Sequence, residues 1–540
     1  MPLYVIAYDV GTTGVKSCLF SIDKGKDIAF IAGELAGYDL YVLDNGGVEQ
    51  DPEQWWQAMC RTTRLLLSKT GVSSEEIRAI SFCAQMQAVV LVDQNGVPVR
   101  NAMSYMDNRG AAQLERGLKQ GVKVAGMNAR KLLRSIQITK AVSASVKDPV
   151  WKYLWVRDEE PEIFSVVHKW LDVKDFLVCR STGRFVMSRD SAFATLLYDT
   201  RKGKDCFSRE LCTMMGVDTR HLPEICGSAD EAGTITKKAA AELGLLEGTP
   251  VFSGGGDASL IGVGAGAVAP GDTHIYMGTS GWVSTVVKKQ TLDVRAMIAS
   301  IVGADPHHFN CFAELETAGK CLEWVRDHIG LDELGIFSEK KFAYQDTESR
   351  QKNVYIYIME KISAVPAGSG GVVFTPWLHG NRCPFEDPHA RGMFFNLGIE
   401  TTAADMIHAV IEGVCLHLRW QLIAMEKHTR TSNTIRFAGG GALSEVTCQI
   451  LADVLGRPVE TVENPQNTGA VGAAALMALG LGLVDSIEQI KKTIPVPGRF
   501  EPRLENTAIY EAVFPVFQEL YKKNRKSFHM LNKRRDQNER

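Results

Sequence analysis

The stretch TPVFSGGGDAS, residues 249–259, places three consecutive glycines between a short apolar run and an aspartate. Glycine this dense weakens a strand, so the stretch predicts a strand that ends in a loop with close backbone contacts. Asp257 has two interpretations: a turn residue, or a carboxylate presented to a reacting group. Strands that run into glycine loops recur in THIYMGTSGWVSTVV (273–287) and TIRFAGGGALS (434–444). The pattern predicts that a second α/β unit begins near residue 250.

The residues before this stretch alternate strand and helix patterns. LYVIAYDVG (3–11) predicts a strand ending in a glycine turn, and VKSCLFSID (15–23) predicts its hairpin partner. PEQWWQAMCRTTRLLLSKTG (52–71) is typical of an amphipathic helix with proline at its start and glycine at its end. IRAISFCAQMQAVVLVDQNG (77–96) predicts a buried strand, a polar turn and another strand, and DPVWKYLWVRDEEPEIF (148–164) predicts a helix. The first half is therefore an α/β unit.

The later residues restart this alternation. SEVTCQILADVLG (444–456) and TGAVGAAALMALG (468–480) predict helices after the third glycine loop. The second predicted helix lies in an apolar run of small residues that is short for a membrane span, which favours a close-packed internal helix. We expect an α/β chain with one domain over residues 1–250, a second over 251–500, and a C-terminal helix with a basic tail over 501–540.

Composition limits the classes of function. The 540 residues carry a formal net charge of −3, with 45% hydrophobic and 23% charged residues. This balance predicts a globular protein without a nucleic-acid or membrane partner. The twelve cysteines are scattered singly, and the first residues contain no signal-peptide pattern. We therefore expect a cytoplasmic protein with reduced cysteines, and a homodimer is left open.

Two turns offer backbone N–H groups and hydroxyls to an anion. They are Gly11-Thr12-Thr13-Gly14 and Gly278-Thr279-Ser280-Gly281. Glycine allows close backbone approach, and successive amides can form an anion-binding nest. The chain has neither the GxxxxGK[ST] phosphate loop nor a GxGxxG after its first strand, which argues against the P-loop and dinucleotide-binding folds.

Two further segments have both a binding and a structural interpretation. Asp9 ends the first predicted strand beside the first turn, where it can hold Mg²⁺ through water or cap the turn. The run AGGGALS (438–444) opens a predicted helix. Its bare backbone suits an adenine and ribose, or simply a tightly packed helix entry.

Taken together, these segments resemble the FGGY carbohydrate kinases over nearly the whole chain, and within that family most closely the xylulokinases. The similar segments are YDVGTTGVK (8–16), GGVEQDPEQWW (46–56), AQMQ (84–87), DNRG (107–110), KYLWVRDEEPE (152–162), GGGDAS (254–259), MGTSGW (277–282), GNRCPFEDPHARG (380–392) and GGGALSEVTCQILADVLGRPV (439–459). The resemblance implies two ribonuclease-H-like domains of the actin and sugar-kinase superfamily, with a cleft between them. It places the sugar mostly against the first domain and ATP mostly against the second.

The resemblance also implies roles for the residues of the two turns and their neighbours. Asp257 would be the catalytic base, taking the proton of the sugar hydroxyl, and Asp9 would position Mg²⁺ and a sugar hydroxyl. The nucleotide would be held by Gly11, Thr12, Thr13, Gly278, Thr279, Gly319, Gly440 and Ser444. Of these residues, the last two would flank the adenosine.

On the sugar side, the resemblance assigns contacts to Met86, Gln87 and Asp257. Gln87 stands where xylulokinases have a histidine, and the two side chains differ in reach and hydrogen-bond geometry. Asp107 is either a second sugar contact or the partner of Arg109 in a salt bridge. We expect an ATP-dependent kinase of a pentulose such as D-xylulose. The alternatives are a kinase of another ketose or polyol, or a non-catalytic sugar sensor on the same fold.

Overall fold

The computed structural model describes residues 3–23, 27–328 and 358–533. The strands up to the glycine run are β1 (Leu3–Val10), β2 (Gly14–Ile22), β3 (Ile28–Gly37), β4 (Tyr41–Val42), β5 (Val48–Gln50), β6 (Ile77–Ala84), β7 (Val90–Val92), β8 (Ala102–Met103), β9 (Lys123–Val124), β10 (Met127–Asn128), β11 (Lys169–Leu171), β12 (Val186–Ser188), β13 (Glu224–Cys226), β14 (Glu231–Thr234), β15 (Pro250–Phe252) and β16 (Gly255–Gly256). The helices of the same part are α1 (Pro52–Thr70), α2 (Ala111–Leu118), α3 (Ala129–Thr139), α4 (Pro149–Glu159), α5 (Pro161–Ser165), α6 (Val173–Thr182), α7 (Arg189–Ala194), α8 (Arg209–Met215) and α9 (Lys237–Leu243).

The later part contains a second set of elements. Its strands are β17 (Thr273–Met277), β18 (Gly281–Val287), β19 (Leu292–Asp293), β20 (Ile298–Val302), β21 (Phe309–Leu315), β22 (Val373–Thr375), β23 (Met393–Phe395), β24 (Ile435–Ala438), β25 (Val459–Thr461) and β26 (Gly498–Phe500). Its helices are α10 (Asp257–Gly264), α11 (Gly319–His328), α12 (Ala403–Glu426), α13 (Glu445–Leu455), α14 (Thr468–Gly480), α15 (Ile487–Thr493) and α16 (Leu504–Asn532).

The first large sheet has the order β14-β15-β6-β1-β2-β3, and β16 also pairs with β6. β1 and β2 form the predicted antiparallel hairpin, whereas β1, β6 and β16 run parallel. In this register Asp9 and Gly255 both lie opposite Cys83. The carboxyl ends of the three strands therefore meet at one edge of the sheet, which brings Asp9 and the segment leading to Asp257 together.

The second large sheet has the order β19-β20-β21-β18-β17-β24-β25-β26. β17 and β18 form an antiparallel hairpin around the second Gly-Thr turn, and β17 runs parallel to β24 with Tyr276 opposite Ala438. The turn at Gly278 and the glycine run at 439–441 therefore leave neighbouring strands at the same edge. Both sheets thus place glycine loops at the carboxyl ends of parallel strands, where ligands bind in open α/β sheets.

Alternate residues of β1 and β2 pack on opposite faces of the first sheet. One face packs against α1, α6 and α9, and the other packs against α10 and α14. These last two helices make backbone contact: an added Cβ on Gly264 would lie 1.9 Å from the carbonyl oxygen of Thr468, and one on Gly472 would lie 2.1 Å from that of Leu260. The predicted internal helix at 468–480 is thus confirmed. It comes from the second half of the sequence but covers the first sheet.

Two local predictions differ from the structure. The first sheet continues past residue 250, where we placed the domain boundary, because Val251 and Gly255 pair with β6. The helix predicted over 148–164 ends at Glu159 and restarts at Pro161, since a proline disfavours helical backbone in the residue before it.

The C-terminal helix is confirmed as α16, whose apolar side packs into the core of the second half through residues such as Tyr510 and Phe517. The basic end of the tail, residues 534–540, lies outside the described residues. Across the described ranges, no helix is long and apolar enough to cross a membrane.

Candidate active site

Asp257 is the first residue of α10 and follows directly on the glycine run. Gly254 has a φ of +67°, and a Cβ there would lie 2.0 Å from the carbonyl oxygen of Phe82. A Cβ on Gly256 would lie 2.1 Å from Sδ of Met86. These glycines let the backbone pack against β6 and against Met86. The close packing fixes the position of the Asp257 backbone, and therefore the point from which its carboxylate extends.

The Asp257 carboxylate has an unusual protonation equilibrium. Burial raises its pKa to about 7; a hydrogen bond from Ala258 N–H opposes this rise, and the charges of Asp9 and Glu314 add to it. The Ala258 N–H donates to Oδ1 at 2.8 Å. Asp9 belongs to the first sheet and Glu314 to β21 of the second, so Asp257 lies where the two halves meet. A carboxylate with a pKa near the working pH suits a general base.

Asp9 is the last residue but one of β1, and its carboxylate lies beside the ammonium of Lys16 in β2. Its Oδ2 is 3.8 Å from Nζ of Lys16, which donates to the carbonyl oxygen of Gln466 at 2.8 Å. Burial raises the pKa of Asp9, and Lys16 opposes this rise. Gly469, at the start of α14, brings its backbone against Asp9: an added Cβ would lie 3.4 Å from Cγ of the aspartate. We did not single out Lys16, although it ends the motif YDVGTTGVK.

The first Gly-Thr turn is held by side chains from outside the hairpin. Gly11 N–H donates to the carbonyl oxygen of Gly14 at 2.9 Å, which closes the turn. Gln50 Nε2 donates to the carbonyl oxygen of Thr12 at 2.7 Å, and the Tyr38 hydroxyl donates to that of Gly14 at 3.1 Å. Thr13 is exposed and Thr12 half-buried. The turn is therefore fixed while its hydroxyls remain accessible.

The second Gly-Thr turn forms one unit with the start of α11. Gly319 N–H donates to the carbonyl oxygen of Gly278 at 2.8 Å, and an added Cβ on Gly319 would lie 2.5 Å from the same oxygen. Ala318 N–H donates to the carbonyl oxygen of Thr279 at 3.0 Å, while Thr279 itself is exposed. The structure thus brings together three of the predicted nucleotide-binding residues, Gly278, Thr279 and Gly319.

The glycine run before α13 has crowded positions at Gly439 and Gly441 and an open position at Gly440. Gly439 has a φ of +91°, and an added Cβ would lie 2.5 Å from the carbonyl oxygen of Met277. A Cβ on Gly440 would meet nothing within 4 Å. The Ser444 hydroxyl caps α13 by accepting from Thr447 N–H at 3.2 Å. Gly440 therefore presents bare backbone, whereas Ser444 already has a structural role.

Met86 and Gln87 form the turn after β6, and both are half-buried. Gln87 adopts a left-handed backbone with a φ of +66°, which is rare for a residue with a side chain. Its N–H donates to Oδ2 of Asp172 at 2.9 Å, and its carbonyl oxygen accepts from Nζ of Lys152 at 2.6 Å. Burial raises the pKa of Asp172 to about 7 and lowers that of Lys152 to about 8.

Asp107 is fully buried in an ion pair. Its Oδ2 accepts from Val48 N–H at 2.9 Å and pairs with Nη2 of Arg109 at 2.6 Å, and its Oδ1 accepts from Arg109 N–H at 3.0 Å. Arg109 also pairs with Glu49 at 2.6 Å. Of our two interpretations, this geometry favours the salt bridge, and a sugar contact by Asp107 stays a prediction.

Three buried charged residues that support the site were not predicted as site residues, although Lys152 begins the similar segment KYLWVRDEEPE. Asp172 and Lys152 hold the Gln87 turn, and Oδ2 of Asp190 accepts from Gly256 N–H at 2.7 Å. The contact from Asp190 to Gly256 spans 66 positions and that from Asp172 to Gln87 spans 85. Such contacts depend on how the elements pack, so a motif search along the chain could not find them.

No cluster of three or more histidine, cysteine, aspartate or glutamate side chains suited to a metal occurs in the part of the chain that the structure describes. Mg²⁺ does not require one, because it keeps several waters and is held through one or two carboxylates together with substrate phosphates. Asp9, beside the first Gly-Thr turn, fits this kind of site.

The chain is similar to known proteins in both sequence and fold. Two models of the FGGY family of carbohydrate kinases match, the N-terminal domain over residues 4–264 and the C-terminal domain over 274–481. A xylulose kinase of Bacillus subtilis (strain 168) is 28% identical over 521 residues, covering 96% of each chain. A gluconokinase of the same strain is 26% identical over 521 residues, covering 96% of this chain and 95% of the relative.

Solved structures share the fold. A gluconate kinase from Lactobacillus acidophilus aligns with a TM-score of 0.81 and 24% identity, covering 98% of this chain and all (100%) of that one. A ligand-bound xylulose kinase from the same organism also gives a TM-score of 0.81 and 24% identity, covering 98% of this chain and 99% of that one. At this identity the matches show the fold alone, and they confirm the predicted two-domain α/β architecture.

Proposed function

The chain belongs to the FGGY family of carbohydrate kinases, and from this premise we propose that it transfers the γ-phosphate of ATP to a hydroxyl of a pentulose such as D-xylulose. The observation that carries the proposal is the position of Asp257. Asp257 is the first residue of α10 and lies between the two sheets, and Met86 packs against the residue before it. Burial raises the pKa of its carboxylate to about 7.

In the proposed reaction, the Asp257 carboxylate accepts the proton of the sugar hydroxyl while that oxygen forms a bond to the γ-phosphorus. The bond between the γ-phosphorus and the bridging oxygen of ADP breaks, and ADP leaves. General-base catalysis of this kind contributes about 10²–10⁴-fold, and positioning and charge neutralisation contribute the rest. Mg²⁺, when bound, neutralises phosphate charge, and Asp9 would hold it through water.

The nucleotide would lie along the second sheet. Thr12, Thr13 and Gly11 of the first turn and Gly278 and Thr279 of the second would hold the phosphates from opposite sides. The proposal is supported by the exposed hydroxyls of both turns and by the contact between Gly278 and Gly319. Adenosine would lie against Gly440, where the backbone is open, and Ser444.

The choice of sugar rests on the relatives and on the turn at 86–87. Xylulose kinases are among the curated relatives at 28% identity, which supports a pentulose. Gln87 differs from the histidine usual in xylulokinases, and gluconokinases are also among the relatives, so gluconate is the second candidate. The residues at 86–87 are Met-Gln, not the Arg-Glu pair of glycerol kinases, which argues against glycerol.

A cytoplasmic location remains a proposal. It is supported by the twelve cysteines, which are scattered singly along the sequence. The homodimer likewise stays a prediction.

The test is ATP turnover with a panel of ketopentoses, gluconate and glycerol. We expect ADP release that depends on D-xylulose, forms phosphorylated sugar in equal amount, and falls about 10³-fold in Asp257→Asn. The exposed Asp44→Asn is the matched control and should keep full turnover. Sugar-independent hydrolysis that Asp257→Asn leaves intact would refute a kinase mechanism through Asp257. Acceleration by gluconate alone would leave that mechanism standing and exclude the pentulose.

A further inference from the structure

The backbone of the turn that contains Gln87 forms hydrogen bonds with two buried side chains of opposite charge. The two carboxylate oxygens of Asp172 accept from Gln87 N–H at 2.9 Å and from Ala88 N–H at 3.0 Å. The ammonium of Lys152 donates to the Gln87 carbonyl oxygen at 2.6 Å. Asp172 is 4% exposed and Lys152 is fully buried. Three successive backbone polar groups of one turn are thus bound by charges that water does not reach.

The conformation held in this way is unfavourable for glutamine. Glycine adopts a φ of +66° without strain, whereas a residue with a Cβ does so only when its surroundings impose that conformation. No described residue forms a hydrogen bond with the Gln87 side-chain amide, although it can donate two and accept two. The strain is therefore imposed on a side chain whose hydrogen-bonding groups remain available to a ligand.

Lys152 also joins this turn to a second loop of the site. Its Nζ donates to the carbonyl oxygen of Ser104 at 2.9 Å. The next residue, Tyr105, has its hydroxyl 3.4 Å from Oγ1 of Thr12 in the first Gly-Thr turn. One buried ammonium therefore sets the spacing between the Gln87 turn and the loop beside the predicted phosphate site.

The same turn is packed against the predicted catalytic base. Met86 contacts the backbone of Gly256, which immediately precedes Asp257, and Asp190 holds Gly256 N–H at 2.7 Å. A shift of the Gln87 turn would therefore move Met86 relative to the base. Burying two charges is costly unless their hydrogen bonds are satisfied, and here those bonds are made largely with the turn itself.

We propose that Asp172 and Lys152 are positioning residues that fix the left-handed Gln87 turn, and that they set sugar selectivity by aiming the Gln87 amide at a sugar hydroxyl. The proposal rests on the proposed function. Neither residue touches the reacting atoms, so the expected effect falls on sugar binding and selectivity, with less effect on phosphoryl transfer.

The test is a double-mutant cycle of Asp172→Asn with Gln87→Ala. An amide cannot accept from both backbone N–H groups, so Asp172→Asn releases one side of the turn. We expect KM for the accepted sugar to rise about tenfold, with kcat within about threefold and KM for ATP unchanged. In the Gln87→Ala background, the same substitution should change KM for the sugar less than twofold. Lys152→Met should behave in the same way.

The control is Asp51→Asn, which alters another helix-capping aspartate that accepts Glu53 N–H at 2.9 Å and does not contact the turn. Equal effects of Asp172→Asn in both backgrounds, or an equal rise in KM for ATP, would overturn the proposal. Gln87→Ala with unchanged KM for every sugar would also overturn it, even if the charged-residue variants fail to fold. A wild-type enzyme without sugar-dependent turnover would instead contradict the proposed function.

Discussion

Glycines pack closely on both sides of the candidate site, and the sugar side is also held by buried charged side chains. On the sugar side, the Gln87 turn and the glycine run before Asp257 are held by the buried charges of Asp172, Lys152 and Asp190. On the nucleotide side, the Gly278 turn and the 439–441 run are shaped by glycine against backbone: added Cβ atoms on Gly319 and Gly439 would both lie 2.5 Å from a carbonyl oxygen.

The difference follows from what each side is proposed to bind. A sugar hydroxyl is recognised by a few donors and acceptors held in fixed directions, which buried charged partners can supply. Phosphates and a flat adenine need many backbone N–H groups and close approach, which side chains would obstruct. We therefore expect the sugar side to respond to changes of charge and the nucleotide side to respond to a single added methyl group.

The largest expected effect is on the sugar side, in the pH dependence of kcat/KM. Burial raises the pKa of Asp257 to about 7, and only the deprotonated carboxylate can accept the hydroxyl proton. Well below that pH, kcat/KM should fall about tenfold per unit, and from pH 7, where half of the carboxylate is deprotonated, to pH 5 it should fall roughly 50-fold. The measurement is a pH profile of sugar phosphorylation, with circular dichroism to confirm folding at each pH. Asp172→Asn should keep the acid limb, and a flat profile down to pH 5 would exclude Asp257 as the base.

On the nucleotide side, Gly319→Ala tests the glycine contact. The added methyl carbon would lie 2.5 Å from the carbonyl oxygen of Gly278, so the turn must shift. We expect KM for ATP to rise about tenfold, equivalent to about 1.4 kcal/mol, while KM for the sugar changes less than twofold. Steady-state kinetics with each substrate varied will show this. Equal changes in both KM values would mean that the two sides are not built independently.

A smaller effect is expected in the free energy of unfolding, which should fall as pH rises, whereas kcat/KM should rise. The folded state raises the pKa of Asp257, so it binds more protons than the unfolded state between pH 4 and pH 7, and it loses stability as pH rises through this window. Asp257→Asn has no charge to bury. Its free energy of unfolding at pH 8 should exceed that of the wild type by on the order of 1 kcal/mol, and the difference should vanish at pH 4–5. Urea unfolding at both pH values measures this, and a less stable variant at pH 8 would contradict it.

The smallest effect is expected from Gly440→Ala. An added Cβ there meets nothing within 4 Å, so the melting temperature without ligand should not change. If adenosine lies against this backbone, KM for ATP should rise about threefold, or roughly 0.7 kcal/mol. Gly441→Ala, whose methyl carbon would lie 2.6 Å from Sδ of Met277, is the contrasting variant and should also lower the melting temperature. An unchanged KM for ATP in Gly440→Ala would remove this residue from the nucleotide site.

Much of the fold could be predicted from the sequence because its decisive patterns are local. The β1–β2 hairpin, α1 with its terminal Gly71, and the small-residue helix α14 all follow from strand alternation, turn glycines and capping. The domain boundary was less predictable, because β15 and β16 read as the start of a new unit but complete the first sheet. Pairing partners, like that of β7 with β11, depend on contacts that no local pattern encodes.

For the site, the sequence by itself determined which residue types are present: an aspartate near the end of one strand and another directly after a second, two Gly-Thr turns, and a glycine run before a helix. These features are local, and parallel strands bring them to common edges. Only the tertiary structure decided their environment. It buried Asp257 enough to raise the pKa of its carboxylate, and it paired the Asp107 carboxylate with Arg109. It also brought Asp172 and Lys152, which are 85 and 65 positions away in the chain, into hydrogen bonds with the backbone of Gln87. The physical reason is that burial and charge proximity are properties of packing, which brings together residues far apart in the chain.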